Sequence, residues 1–339
     1  MQMLRSRRFW FGIVVSAVCL WLAIRLVPFQ DFIASLKEAN YLWLIPAIIF
    51  QFFAVWGRAK RWSSLFEPKK GLVRTAFWAQ SIGFLFTNVF PLRLGEVARV
   101  IVMSEQNSIP VVQVAATAVV ERVLDVSIVV IGLLVVLPFM KVPALVIDAG
   151  TTFGVLILVA LIGLWIVVKF RDFSDRILQA ILARLKFLPA QAVMARWHEL
   201  VDGLAPLTRF KSGTRVVFWT IVSWFFSWGI YWFVMRAYQP DNTVVEALFM
   251  VVALALAITV PSSPGFIGVF QYVGQQALVL PFGGKYNPSN ALAITLVAYL
   301  VYYLFTSGLG VAGLWQVGQS FTNLGKLITA RQGQKNPAS

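Results

Sequence analysis

Runs of apolar residues long enough to cross a lipid bilayer set the first limit on this chain. They lie at about 9–27, 40–57, 111–138, 150–168, 215–238 and 290–317. A helix rises about 1.5 Å per residue, so each run reaches across a hydrocarbon core of roughly 30 Å. The composition agrees: 59% of the 339 residues are hydrophobic and only 13% charged. A soluble domain of this length could not cover so much apolar surface. The expected fold class is an all-α polytopic membrane protein with about six full transmembrane helices.

Two further apolar stretches, 75–103 and 246–281, are interrupted in the middle by Pro and Gly. Lys and Arg counts say how these are threaded, because basic residues collect on the cytoplasmic side. Residues 1–8 carry three, 58–74 carry six, 169–215 carry nine, and the tail after 320 carries three. The opposite side carries five: Arg25, Lys37, Lys141, Arg236 and Lys285. Both termini are then cytoplasmic, in a multi-pass protein of the cytoplasmic (plasma) membrane. The count holds only if each interrupted stretch enters and leaves on one side, the first from the cytoplasm and the second from outside. Two oppositely oriented re-entrant broken-helix segments point to an inverted repeat of the transporter kind. The alternative is that each is an ordinary, kinked pair of spans.

Residues 1–320 read as a single transmembrane domain and 321–339 as a short cytoplasmic basic tail. The basic start and first apolar run look like a signal sequence. No small-residue cleavage site follows, so the expectation is a retained first span. Within the loop 169–215, Ile177, Leu178, Ile181, Leu182, Leu185 and Leu188 share one helical face. An amphipathic helix over about 173–188, lying on the inner leaflet, fits them.

Several function classes drop out. The formal charge of +15 reflects loop cations facing anionic lipid, and no nucleic acid is implied. Cys19 is the one cysteine and His198 the one histidine, so neither a Cys/His metal site nor Ser-His catalysis is expected. His198 reads as a surface residue. No P-loop occurs, so ATP is not a direct energy source. No cofactor is implied.

The chemistry collects in "FTNVFPLRLGEVARV", residues 86–100. Pro91 removes a backbone donor and Gly95 relaxes the chain, so one helix ends near Asn88 and the next starts near Gly95. Glu96 then lies in a first turn, where the helix dipole favours its charge. Arg93 and Arg99 flank it. The next span holds Glu121, Arg122 and Asp125, with Glu121 and Asp125 on one face. At roughly 2.5–3.5 kcal/mol per central charge, six lone charges would cost on the order of 15–20 kcal/mol. That exceeds the whole stability of an ordinary fold, about 5–15 kcal/mol. They must pair with one another, face water, or hold a charged ligand. A structural salt-bridge lock and an arginine grip on a lipid phosphate both satisfy this.

The second interrupted stretch reads "AITVPSSPGFIGVFQYVGQQAL". Pro261, Pro264, Gly265 and Gly268 break it, and Ser262, Ser263 and Gln271 are its polar groups. Backbone N–H groups freed there could bind an anion, or the segment could be a tight hairpin packed through Gly and Ala. Trp224, Trp228 and Trp232 recur every four residues, as a packed or lipid-facing stripe would.

These motifs carry a family resemblance. "NVFPLRLGEVARV" resembles the N-x-x-P-x-R-x-G-E-x-x-R signature of the flippase-like membrane family, which includes the transmembrane region of lysylphosphatidylglycerol synthase/flippase. "ERVLD" resembles its E-R-x-x-D, and "PSSPGFIGVFQ" its P-x-x-P-G-G-x-G-x-x-E. The likeness runs from the first helix to about Trp315. It carries over Asn88, Pro91, Arg93, Gly95, Glu96 and Arg99, with Glu121, Arg122, Asp125, Pro264, Gly265 and Gly268. Phe266 stands where the family often has Gly, and Gln271 where it often has Glu. Bifunctional members add a soluble aminoacyl-transferase domain not expected here.

The resemblance implies a lipid translocase (flippase) moving an anionic phospholipid or a lipid-linked phosphate headgroup, and no enzyme. Membrane lipids are the implied partners, with a homo-oligomer or a lipid/glycan synthase as possible protein partners. The alternatives are a membrane enzyme on a polyprenyl-phosphate lipid, since "PSSPG" resembles Ser-rich phosphate-binding loops, and a non-catalytic lipid-binding partner of a synthase.

Overall fold

The computed structural model describes residues 7–25, 27–66, 71–90, 94–139, 169–184, 189–204, 209–259, 262–282, 284–321 and 323–325, with scattered positions between 152 and 167. The described residues form helices α1 (Arg7–Ile24), α2 (Phe29–Glu38), α3 (Leu44–Ser64), α4 (Val73–Val89), α5 (Leu94–Asn107) and α6 (Val111–Val136). After them come α7 (Arg171–Arg184), α8 (Ala190–Leu204), α9 (Phe210–Tyr238), α10 (Val244–Ala257), α11 (Val269–Val279) and α12 (Pro288–Gln316).

Among the described residues four helical stretches are long and apolar enough to span: Tyr41–Ser64, Val111–Phe139, Phe210–Tyr238 and Pro288–Gln316. A fifth candidate is the pair Trp10–Ile24 and Phe29–Glu38, bent by 82°. The chain is therefore a multi-pass, all-helical membrane protein. The run at 150–168 lies largely outside the described residues, as does the basic tail from 326 onward.

The long helices pack closely through small residues. Gly57 of α3 lies on Ser223 of α9, and any side chain at Gly229 would collide with the Phe50 ring. Gly310 and Gly313 of α12 lie on Ser81, Ile82 and Trp78 of α4 in the same way. Lipid tails are as apolar as leucine, so such close backbone approach, rather than a hydrophobic force, holds membrane helices together.

Both interrupted stretches fold back as helical hairpins. In the first, Gly95 of α5 lies against the Gly83 carbonyl and the Thr87 hydroxyl of α4, and Gly83 faces Arg99. In this antiparallel pair the first helix ends at Val89 and the second begins at Leu94. Phe90 is extended (φ −106°, ψ 146°), as a residue before proline tends to be. In the second, Phe249 meets Phe282, and Glu246 meets Lys285 at 2.8 Å. Its tip is the short turn Pro264–Phe266 followed by Gly268.

With 17, 14, 14 and 11 residues, the four arms are about 17–25 Å long. Each falls short of the roughly 30 Å of a hydrocarbon core.

Helix α12 serves as a ruler for the two hairpins. Arg74, at the open end of the first, bonds Gln316 at 3.0 Å, and Asn88, near its tip, bonds Thr306 and Ser307 at 3.1 and 2.9 Å. From the other end, Gln275 bonds the Pro288 carbonyl, Gly274 packs on Thr295, and the Gly265 tip reaches Tyr299 and Tyr303. The hairpins thus approach from opposite ends and meet near the middle of α12.

The open end of the second hairpin is tied by Glu246. It closes a capping box with Thr243 and accepts hydrogen bonds from Lys285 at 2.8 Å and from Tyr286 at 2.6 Å. Burial and then the bond to Glu246 push the Tyr286 phenol well above its usual range.

The helix expected at 173–188 appears as α7. Leu182 is buried while Ile177 and Ile181 are exposed, and positions 185–188 lie outside the described residues. Asp175 joins it to α8, accepting from Trp197 at 2.7 Å and meeting His198 at 3.1 Å. His198 is thus partly exposed but paired.

Candidate functional site

Helices α3, α5 and α6 bring six charged side chains into one alternating chain. Asp125 receives Arg61 through two bonds, at 2.5 and 3.3 Å. The same guanidinium reaches Glu121 at 3.0 Å. Glu121 also pairs with Arg99. Arg99 holds Glu96 at 2.7 Å, and Glu96 in turn pairs with Arg122.

Burial grades along this chain. Arg61, Glu121 and Arg99 are 1%, 1% and 4% exposed, whereas the Arg122 side chain is 52% exposed. Two tryptophans frame the network: Trp224 donates to Asp125 at 3.0 Å, and Trp62 lies under the Arg99 guanidinium at 5.0 Å.

Local structure explains the placement. Glu96 lies in the first turn of α5, where the dipole supports its charge. Glu121 and Asp125 are one turn apart on α6, so one guanidinium can bridge them. Gly95 lets α5 approach α4 closely enough for Arg99 to lie over Gly83.

The network borders a polar cavity whose walls include Arg58, Gln80, Thr87 and the charged chain itself. A second, apolar pocket is lined by Trp224, Tyr231, Phe266, Tyr299 and Tyr302, with Gly265 of the second motif. Arg58 lines both.

The predicted site residues divide between these spaces. Glu96, Arg99, Glu121, Arg122 and Asp125 come together, with Gly95 in the wall of their cavity. Asn88 is buried between α4 and α12. Pro91, Arg93 and Pro261 lie outside the described residues.

The second motif uses its own freed donors. The Ser263 N–H donates to Ser16 Oγ on α1 at 2.9 Å, and the Gly268 N–H donates to Gln271 Oε1 at 2.7 Å. Gln271 thus caps its own helix. Ser262 Oγ is buried without a partner among the described residues. Gly268 has φ +88°, and a Cβ there would overlap the Ser16 carbonyl.

Two residues of the site were not legible as such. Arg58 and Arg61, counted above as loop cations, belong to α3, which runs to Ser64. The signal was present: neither proline nor an acidic residue interrupts the helix after Trp56, and Trp62 extends its buried face. Trp224, read as part of a stripe, is a hydrogen-bond donor to the network. Among the described residues no three His, Cys, Asp or Glu come together as a metal site.

The family model described as lysylphosphatidylglycerol synthase TM region matches residues 9–310. The chain belongs to that family. No curated protein and no solved structure matches it.

Set beside the family pattern quoted above, this lysylphosphatidylglycerol synthase TM region protein departs most informatively at Phe266. Its φ is +60°, a left-handed conformation that glycine adopts freely and that costs a bulky residue about 1–2 kcal/mol. The backbone keeps a glycine-like geometry, and the added ring lines the apolar pocket.

Proposed function

We propose that this protein carries an anionic lipid headgroup across the cytoplasmic membrane, with both of its termini in the cytoplasm. The observation that carries the reading is the meeting of two opposed hairpins beside a charged cavity. Arms shorter than a hydrocarbon core suit re-entry, each hairpin entering and leaving on its own side. Opposed re-entrant hairpins meeting at mid-depth form the inverted-repeat arrangement of transporters. Irregular backbone at that depth is tolerated where it is buried in protein or lines a cavity, and the second tip, with Gly265 buried against Asn88 and Tyr299, meets that condition.

The chemistry asked of the site is binding and release. Guanidinium groups offer paired donors to phosphate oxygens, and carboxylates on the other side of each arginine hold it in place. No covalent bond is made or broken in this reading, and membrane lipids of anionic phosphate type are the cargo.

The test is reconstitution. Purified protein in phosphatidylcholine vesicles doped with fluorescent phosphatidylglycerol should make the inner-leaflet probe accessible to a membrane-impermeant quencher, faster than protein-free vesicles do. No acceleration with anionic lipid would sink the proposal. So would release of inorganic phosphate from a polyprenyl phosphate by the same preparation, which would make the protein an enzyme.

A further inference from the structure

The charged cavity is not neutral. Among the described residues that line it, four guanidinium groups face three carboxylates: Arg58, Arg61, Arg99 and Arg122 against Glu96, Glu121 and Asp125. Arg61, Arg99 and Arg122 are each held by a carboxylate. Arg58 is the excess charge. Among the described residues it has no carboxylate at salt-bridge distance. Its guanidinium donates a long bond to Ser227 Oγ, 3.3 Å, and lies 5.8 Å from the Phe84 ring centre. Its charge acts on Asp125 from beyond bonding distance, and a cation with no bonded counter-ion at this depth is costly unless water or a further anion answers it.

Arg58 also stands where the two spaces adjoin. On one side is the charged cavity; on the other is the apolar pocket, which spans about 770 Å³ of non-protein space including its open mouth. Two residues lining these spaces have a buried polar atom without a partner among the described residues: the Gln80 amide oxygen at the charged cavity and the Tyr299 hydroxyl, which can donate, at the apolar pocket. Phe266 holds a strained backbone in order to present its ring there, and strain of this kind collects at ligand sites.

We infer that Arg58 is the primary anion-binding residue and that the ligand is an anionic amphiphile lying across it, its phosphate in the charged cavity and one apolar chain in the pocket of Tyr231, Phe266 and Tyr302. This rests on the lipid reading above and adds to it the contact residue and the seat of the chain. The other three arginines are each bonded to a carboxylate, so a phosphate gains most from the one that is not. The pocket's aromatic and aliphatic walls then reward a chain that free phosphate lacks. Headgroup charge and chain are recognised together because one side chain borders both spaces.

The experiment uses the full-length protein in nanodiscs and three soluble probes: inorganic phosphate, dihexanoyl phosphatidic acid and dihexanoyl phosphatidylcholine. Binding is read from tryptophan fluorescence, since Trp224 lines the pocket. The phosphatidic acid should bind at least tenfold more tightly than either of the others. Arg58→Gln should abolish that advantage over phosphatidylcholine, and Arg58→Lys should keep part of it. Ala255→Phe, which fills the pocket from α10, should abolish the advantage over inorganic phosphate while leaving phosphate binding in place. Melting temperatures of all three variants show whether they fold; should Arg58→Gln not fold, Arg58→Lys and Ala255→Phe still decide.

Equal affinity for phosphate and phosphatidic acid would overturn the chain seat. An unchanged preference for phosphatidic acid in Arg58→Gln would overturn the role of Arg58. The translocation reading fails separately: a wild-type protein that shows these affinities yet moves no probe in the vesicle assay binds the lipid without carrying it.

Discussion

A Cβ on Gly265 would stand 3.2 Å from the carbonyl oxygen of Asn88, 2.9 Å from the Tyr299 hydroxyl and 3.0 Å from the Tyr303 ring. The tips of the two hairpins therefore meet backbone against backbone, and the residue at that contact has φ +66°. A branched side chain fails there twice, by collision and by its disfavoured left-handed conformation, worth about 1–2 kcal/mol. Gly265→Val should lower the melting temperature by several degrees and stop lipid movement. Gly265→Ala should do the same less severely. Wild-type melting and transport in Gly265→Val would mean the tips do not stay in contact.

Glu121 accepts from two buried arginines, Arg61 and Arg99. Replacing it by Gln leaves two guanidinium groups short of one counter-charge in a buried site. Breaking a buried pair costs about 3–5 kcal/mol, so Glu121→Gln should be strongly destabilised in thermal or denaturant unfolding. Arg122→Gln breaks a pair that is half exposed and should cost under about 1 kcal/mol. Similar losses for the two would contradict the burial gradient.

Phe266 offers a gain of stability at the expense of binding. Phe266→Gly relieves the left-handed backbone, worth about 1 kcal/mol, and removes a ring from the apolar pocket. The melting temperature should rise by a few degrees while affinity for dihexanoyl phosphatidic acid falls several-fold. A drop in both would show that the ring's packing outweighs its strain.

The open ends of the hairpins should face opposite compartments. Gln106 and Pro288 are exposed at those ends, and Cys19 is the one native cysteine. In a Cys19→Ser background, Gln106→Cys should react with an impermeant maleimide only from the cytoplasmic side and Pro288→Cys only from outside. Reaction of both from one side would remove the inverted arrangement.

Local composition and pattern were enough to determine the class of this protein and the position of its breaks. Apolar runs of bilayer length admit only helices, because hydrocarbon satisfies no backbone donor or acceptor. Pro91, Pro264, Gly265 and Gly268 mark the breaks because proline and glycine act through their own covalent structure. Glu96, Arg99, Glu121, Arg122 and Asp125 were legible as one group because charges at such depth must find partners. Which partners they find depended on the packing of α3 against α5 and α6. Arg61 became the bridge between Glu121 and Asp125, and Arg58 the charge left over, only because α3 continues past the apolar run and turns that face inward. The Ser263 N–H, which composition alone left free for a ligand, is bound by Ser16 of α1, a segment some 250 residues away in the chain. Hydrogen-bond partners and net cavity charge depend on contacts between distant segments, and spacing within a single helix carries no record of them.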